Sequence, residues 1–174
     1  RGRPVTHPVL AQLAATADRP GPVVMGVVNV TPDSFSDGGR YLDADAAIAH
    51  GLELIEQGAD LIDVGGESTR PGAVRVDPGL EAERVVPVIG ELAARGVTVS
   101  VDTMRAAVAE AAIDAGATIV NDISALRYDE RALDMVVRAG CPVVLMTYGY
   151  NHGEPVQGVD ADGLADALTE VAAA

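Results

Sequence analysis

The 174-residue chain contains no lysine and no tryptophan, one phenylalanine and one cysteine. With aromatic residues at 3%, its 48% hydrophobic content rests on Val, Leu, Ile and Ala, so the core must be aliphatic. Cys141 alone allows no intramolecular disulfide, and its place before Pro142 at the head of an apolar run reads as an inert buried thiol. No apolar run approaches the roughly 20 residues of a membrane span. The first residues lack the apolar stretch of a signal peptide, so a cytoplasmic location is expected. All 12 basic residues are arginine, against 26 acidic ones, giving a net charge of −14. Such an acidic field disfavours nucleic acid and anionic membranes as partners. It would also repel a phosphorylated ligand unless arginine, backbone N–H groups or a metal gather locally.

What the chain has is rhythm. After a proline-rich leader (residues 1–22, with a short helix near Val9–Ala15), apolar runs recur at Val23–Val30, Leu61–Val64, Val97–Val101, Thr118–Val120 and Val143–Met146. They are nearly continuous rather than alternating, as expected of parallel strands buried on both faces. Segments of helical period lie between them: Ile48, Leu52 and Ile55; then Val85, Ile89 and Leu92; then Met104, Val108 and Ala112. Leu133, Val136 and Val137 follow, and finally Leu164, Leu168 and Val171. Asp43, Asp77–Pro78, Asp129 and Asp162 stand where N-caps belong, and Gly58, Gly96, Gly116 and Gly140 where helices end. Pro87 falls inside the second of these helices and argues for a kink there.

Alternating βα units predict a parallel sheet with right-handed crossovers. A doubly wound sheet and part of an eightfold barrel both fit, although the first βα turn lacks G-x-G-x-x-G. A complete barrel needs about 250 residues. The class is α/β on either closure, and a TIM-type (β/α) barrel, the closure that the resemblance described below implies, would have only about five of its eight βα units in residues 23–174.

Function is suggested by what ends each strand. The first run opens into Asn29-Val-Thr-Pro-Asp-Ser-Phe-Ser-Asp-Gly-Gly39, the second into Asp63-Val-Gly-Gly-Glu-Ser-Thr-Arg-Pro-Gly72. The third ends in Ser100-Val-Asp-Thr103 and the fourth in Val120-Asn-Asp-Ile123. Polar groups at the carboxyl ends of successive parallel strands converge on one mouth. Helix capping would explain Asp102 or Asp122 singly, but not four strand ends in succession. Gly65-Gly66 would let backbone approach a ligand, Arg70 before Pro71-Gly72 would clamp an oxyanion, and Phe35, in a loop, would fold over a ligand.

The two long loops resemble the signature loops of dihydropteroate synthases, and the third and fourth strand ends resemble that family's, over about Val24 to Met146. The resemblance implies an eight-stranded barrel that joins a pterin methyl diphosphate to 4-aminobenzoate, on the folate pathway. It implies that Asn29 coordinates Mg²⁺ and that Thr69 and Arg70 hold the diphosphate. Asp102 and Asn121 would bind the pterin edge, with Met146 against its ring, while Asp37, Phe35 and Pro71 sit on loops that close over the reacting centre.

Family members continue into three further strands carrying an Asp-Pro-Gly motif, a Lys and a basic motif; no counterpart of these follows the fifth run here (Asp77-Pro78-Gly79 falls before a helix, between the second and third runs), and Met146-Thr-Tyr-Gly149 replaces a Met-His run. The chain is thus read as a portion of a synthase that is a homodimer or needs a missing C-terminal half. The alternatives are a truncated, non-catalytic pterin-binding paralogue and a pterin-dependent methyltransferase domain.

Overall fold

The computed structural model describes residues 7–16, 22–31, 40–68, 75–146, 150–151 and 154–155. Helix α1 (Pro8–Thr16) is followed by β1 (Met25–Asn29), α2 (Arg40–Glu56), β2 (Leu61–Gly65), α3 (Pro78–Ala94) and β3 (Val99–Asp102). Then come α4 (Ala106–Asp114), β4 (Ile119–Asp122), α5 (Ala132–Ala139), β5 (Val143–Leu145) and a short antiparallel pair, β6 (Tyr150–Asn151) with β7 (Glu154–Pro155). The sequence did not foretell that last pair.

The five main strands are all parallel and lie in the order β1-β2-β3-β4-β5. A doubly wound sheet reverses its strand order at a switch point; this one does not, so the winding is that of a barrel. Because side chains alternate, the register sorts them into two faces. Val28, Val64, Val101 and Val120 form one row, and they join α3's Val85, Val88, Ile89 and Leu92 in the core. Each of those four α3 side chains is fully buried, which stabilises the fold by about 1.5–3 kcal/mol apiece. The start of α3 is set by Asp77, whose Oδ1 accepts the Gly79 and Leu80 amides at 2.8 and 3.4 Å, with Pro78 in the first turn.

At the amino ends of the strands, Leu13 of α1 packs with Leu61 and Ile119 and closes that end of the sheet. The leader helix is therefore real, and it lies opposite the mouth. Gly58, Gly96, Gly116 and Gly140 all have positive φ after their helices, as the sequence suggests.

Several expectations need correction. Burial on both faces holds for β2 but not for the edge strands, where Val27 is 52% and Val144 40% exposed. Asp43 lies within α2 rather than ahead of it. Asp129 caps the preceding helix as much as its own: Oδ2 accepts the Ala106 amide at the start of α4, while Oδ1 accepts that of Arg131. Pro87 causes no break in α3, and it stands on the exposed side of that helix. Cys141 is half-buried rather than buried, and burial still raises its pKa, which keeps it a thiol. Asp162 and the segment of Leu164, Leu168 and Val171 lie outside the described residues.

Candidate functional site

One register row runs across the carboxyl ends of four strands: Asn29 pairs with Gly65, Gly65 with Asp102, and Asp102 with Asn121. All four face the side of the sheet opposite the helices, because each is one residue past a core valine. Gly65 is the bare position in the row. A Cβ there would stand 3.3 Å from Asn29 Oδ1 and 3.4 Å from Asp102 Oδ2, so its hydrogen leaves a hollow between two oxygen-bearing side chains. Gly66 has a different reason: a Cβ would strike Val85 Cγ1 at 2.9 Å, so this glycine lets the chain pass close to α3. On β5, Val144 pairs with Asn121, and Met146 follows two residues on. The Met146 amide donates to the Asp122 carbonyl at 3.2 Å, and the residue is 43% exposed.

One layer deeper, Asp63 sits in mid-strand rather than at a strand end. Its Oδ2 accepts from Asn121 Nδ2 at 2.9 Å, a bond that engages the donor end of that amide and not its acceptor end. Asp63 Oδ1 and Ser100 Oγ, on residues adjacent in register, are both buried and, among the described residues, neither makes a hydrogen bond of good geometry, although Ser100 is near enough to favour the Asp63 carboxylate. Burial raises the Asp63 pKa, with Ser100 and Asn121 opposing that shift.

Asp102 is the most perturbed group. Burial first, then the negative charges of Asp63, Glu81, Asp122 and Glu67, push its carboxyl up to about 7. A carboxyl so placed is primed for a ligand that brings N–H donors, which would favour the ionised form.

Asp122 belongs to the other face. Its Oδ1 accepts from Ser124 N and Ser124 Oγ, both at 2.6 Å, and its Oδ2 from Leu126 N at 3.2 Å. This carboxylate holds a turn in which Ala125 and Leu126 have φ of 54° and 63°, a strained region for non-glycine residues. Helix capping accounts for neither acid: Asp122 holds a turn well ahead of α5, and α4, the helix after Asp102, takes its capping carboxylate from Asp129.

Beside the mouth lies a buried ionic cluster that sequence reasoning missed. Arg105 Nη1 donates to Glu81 Oε2, and Nη2 reaches Glu67 Oε2 at 2.8 Å and the Val76 carbonyl at 2.9 Å. Thr103 Oγ1 donates to Glu81 Oε1 at 2.6 Å, and the Val76 amide to Glu67 Oε2 at 2.9 Å. Burial opposes charge on Arg105, but Glu67 and Glu81 outweigh it and raise its pKa; burial also raises that of Glu81, against Thr103 and Arg105. A signal was present: Glu81 continues the apolar stripe of Val85, Ile89 and Leu92, and an acid in a core position needs a partner.

The structure thus brings Asn29, Asp102 and Asn121 together and places Met146 at the adjoining strand end. Phe35, Asp37, Thr69, Arg70 and Pro71 lie outside the described residues. Among the described residues no three His, Cys, Asp or Glu side chains are grouped to hold a metal. The donor set fits a different mode of binding: one exposed amide oxygen, Asn29 Oδ1, beside an open position suits a hard cation that takes its other ligands from waters and a phosphorylated ligand.

A parallel β/α sheet wound in strand order, with its polar side chains gathered at the strands' carboxyl ends, defines a barrel-type protein with a small-molecule site at its mouth. The chain belongs to the family described as Pterin binding enzyme, which matches residues 25–172. It is 53% identical over 150 residues to the dihydropteroate synthase of Mycobacterium leprae, an alignment covering 86% of this chain and 52% of that protein. Among solved structures, it resembles the Xanthomonas albilineans dihydropteroate synthase with 4-aminobenzoic acid (TM-score 0.68, 54% identity, 71% of this chain and 45% of that one). It also resembles the Clostridium difficile dihydropteroate synthase in the presence of pteroic acid (TM-score 0.75, 39% identity, 86% and 58%). The chain spans about half the length of the curated relatives it matches. No described helix is long and apolar enough to cross a membrane.

Proposed function

We propose that this chain supplies the pterin-binding face of a dihydropteroate synthase, the transferase that joins a pterin methyl diphosphate to 4-aminobenzoate with loss of diphosphate. The observation that carries the reading is the single row of Asn29, Gly65, Asp102 and Asn121 at one mouth. Asp102 accepts the N–H donors of the amino-pyrimidinone edge, and Asn121, turned by Asp63, accepts alongside it. Met146 offers an apolar surface to the ring. Thr69 and Arg70 hold the diphosphate as hydrogen-bond donors, and Asn29 holds Mg²⁺ beside it. Bound there, the cation would neutralise charge on the departing diphosphate.

The chemistry asks for no protein nucleophile. The bond from the pterin methylene to the diphosphate oxygen breaks and its electron pair leaves with the diphosphate. The arylamine nitrogen then bonds to the methylene and loses a proton to solvent. Phe35, Asp37 and Pro71 exclude water from that exchange. The same reading assigns the activity to the cytoplasm and to a homodimer or a complemented chain, since the inner faces of β1 and β5 are partly bare. A second reading, pterin binding without turnover, rests on the strand-end row alone, since Asp102 and Asn121 serve a pterin edge whether or not a diphosphate departs.

Calorimetry with the pterin diphosphate, with and without Mg²⁺, combined with an assay of diphosphate release, separates these readings. Metal-dependent binding is expected, with slow or no turnover by this chain alone. Binding that ignores both metal and diphosphate would favour a methyltransferase-type site. Absence of pterin binding under both conditions would overturn the proposal.

A further inference from the structure

The ionic cluster around Arg105 has a particular placement. Glu67 stands near the start of the connection between β2 and α3, and Val76 near its far end; Arg105 Nη2 reaches both, at 2.8 and 2.9 Å. The Val76 amide closes the loop by donating to Glu67 at 2.9 Å. Arg75 lies over the Tyr128 ring at 4.6 Å from its centroid, and Arg105 lies 6.0 Å from the same ring. The amide of Tyr128 is in turn anchored on Ser124 Oγ at 3.2 Å. On the other side, Glu81 and Thr103 fix the guanidinium to α3 and to the end of β3, one residue from Asp102. Buried ion clusters add little net stability, because desolvation offsets their attraction. Their retention calls for another reason, and here Arg105 Nη2 joins the two ends of one connection, Glu67 and Val76.

We propose that Arg105, with Glu67 and Glu81, is a positioning clasp that ties both flanks of the β2–α3 connection, Glu67 and Val76, to the end of β3 beside Asp102. Arginine suits the task because its planar fork serves three acceptors at fixed angles, whereas lysine offers a point charge. Only the ligand half of the test rests on the proposed diphosphate role of Arg70.

The test compares the wild-type chain with the double variant Arg105→Met with Glu81→Gln, which removes buried charge of both signs, and with Arg105→Lys. The first readout is amide hydrogen exchange and needs no ligand. At Val76 it should quicken by about tenfold or more in the double variant and by less in Arg105→Lys, while Ile62, Val64 and Val101 keep their protection. Unchanged exchange at Val76, or equal acceleration at flank and core, would overturn the clasp. If the double variant does not fold, Arg105→Lys alone decides on the same criterion. The second readout is the ratio of affinities for the pterin diphosphate and for the same pterin alcohol. The clasp predicts that this ratio falls while the alcohol binds as before, and an unchanged ratio would refute any bearing on the ligand. A wild-type chain that does not distinguish the two ligands would instead count against the transferase reading, leaving exchange at Val76 to judge the clasp.

Discussion

Asp102 titrates near neutrality because it is buried among acids, and this makes it costly in the free protein. Its pKa, about 7 when folded against an ordinary 3.8, means that the folded chain binds this proton more tightly than the unfolded one. The corresponding stability is complete below about 3.8, erodes as pH rises and is gone above about 7. Asp102→Asn, which cannot ionise, should therefore gain on the wild type between pH 4 and pH 8, by about 2–4 kcal/mol at the upper end. Urea unfolding at pH 5 and pH 8 checks this, and a pH-independent difference would contradict it. The same substitution should weaken pterin binding about tenfold to a hundredfold, the loss of charge-assisted hydrogen bonds. Wild-type affinity should strengthen as pH rises through about 7, with Asp102→Asn showing a flatter profile in calorimetry. Gly65→Ala brings a second test: its methyl would crowd both Asn29 Oδ1 and Asp102 Oδ2, lowering pterin affinity with little change in melting temperature.

Among the elements, the turn after β4 is the strained one, and Asp122 is what holds it. Asp122→Ala would orphan the donors of Ser124 and Leu126 and release two left-handed residues, at a cost of about 2–4 kcal/mol. Removing the exposed N-cap, Asp77→Ala, should cost only about 1 kcal/mol. Chemical denaturation of both variants checks the order, and equal losses would contradict the account of the turn. Elements with a period were legible in advance: five apolar runs became five parallel strands, and the stripe of Val85, Ile89 and Leu92 became the buried face of α3. What escaped was set by tertiary contact. Asp122 reads like Asp102 in sequence, but one more residue along a strand points it to the opposite face. The Glu67–Arg105–Glu81 cluster joins residues far apart in the chain, and only the oddity of Glu81 on an apolar stripe hinted at it.

At the scale of the whole sheet, the described residues bury the middle strands and leave apolar positions of the outer two exposed. Val27 on β1 and Val144 on β5 are 52% and 40% exposed, apolar positions at both edges of a parallel sheet. The chain alone should therefore associate, and sedimentation should report a mass above that of the monomer; a cooperative, soluble monomer would contradict this. The strand-end motifs pointed to a shared mouth, and the register sets Asn29, Asp102 and Asn121 in one row across the strand ends. The most direct test of that shared mouth is residue-resolved NMR during titration with the pterin diphosphate. Shifts should concentrate at the amides of Asn29, Gly65, Asp102 and Asn121 and leave Leu61 and Ile119, at the α1 end, unmoved. Shifts centred on that opposite end, or scattered without the four strand-end residues, would contradict the account.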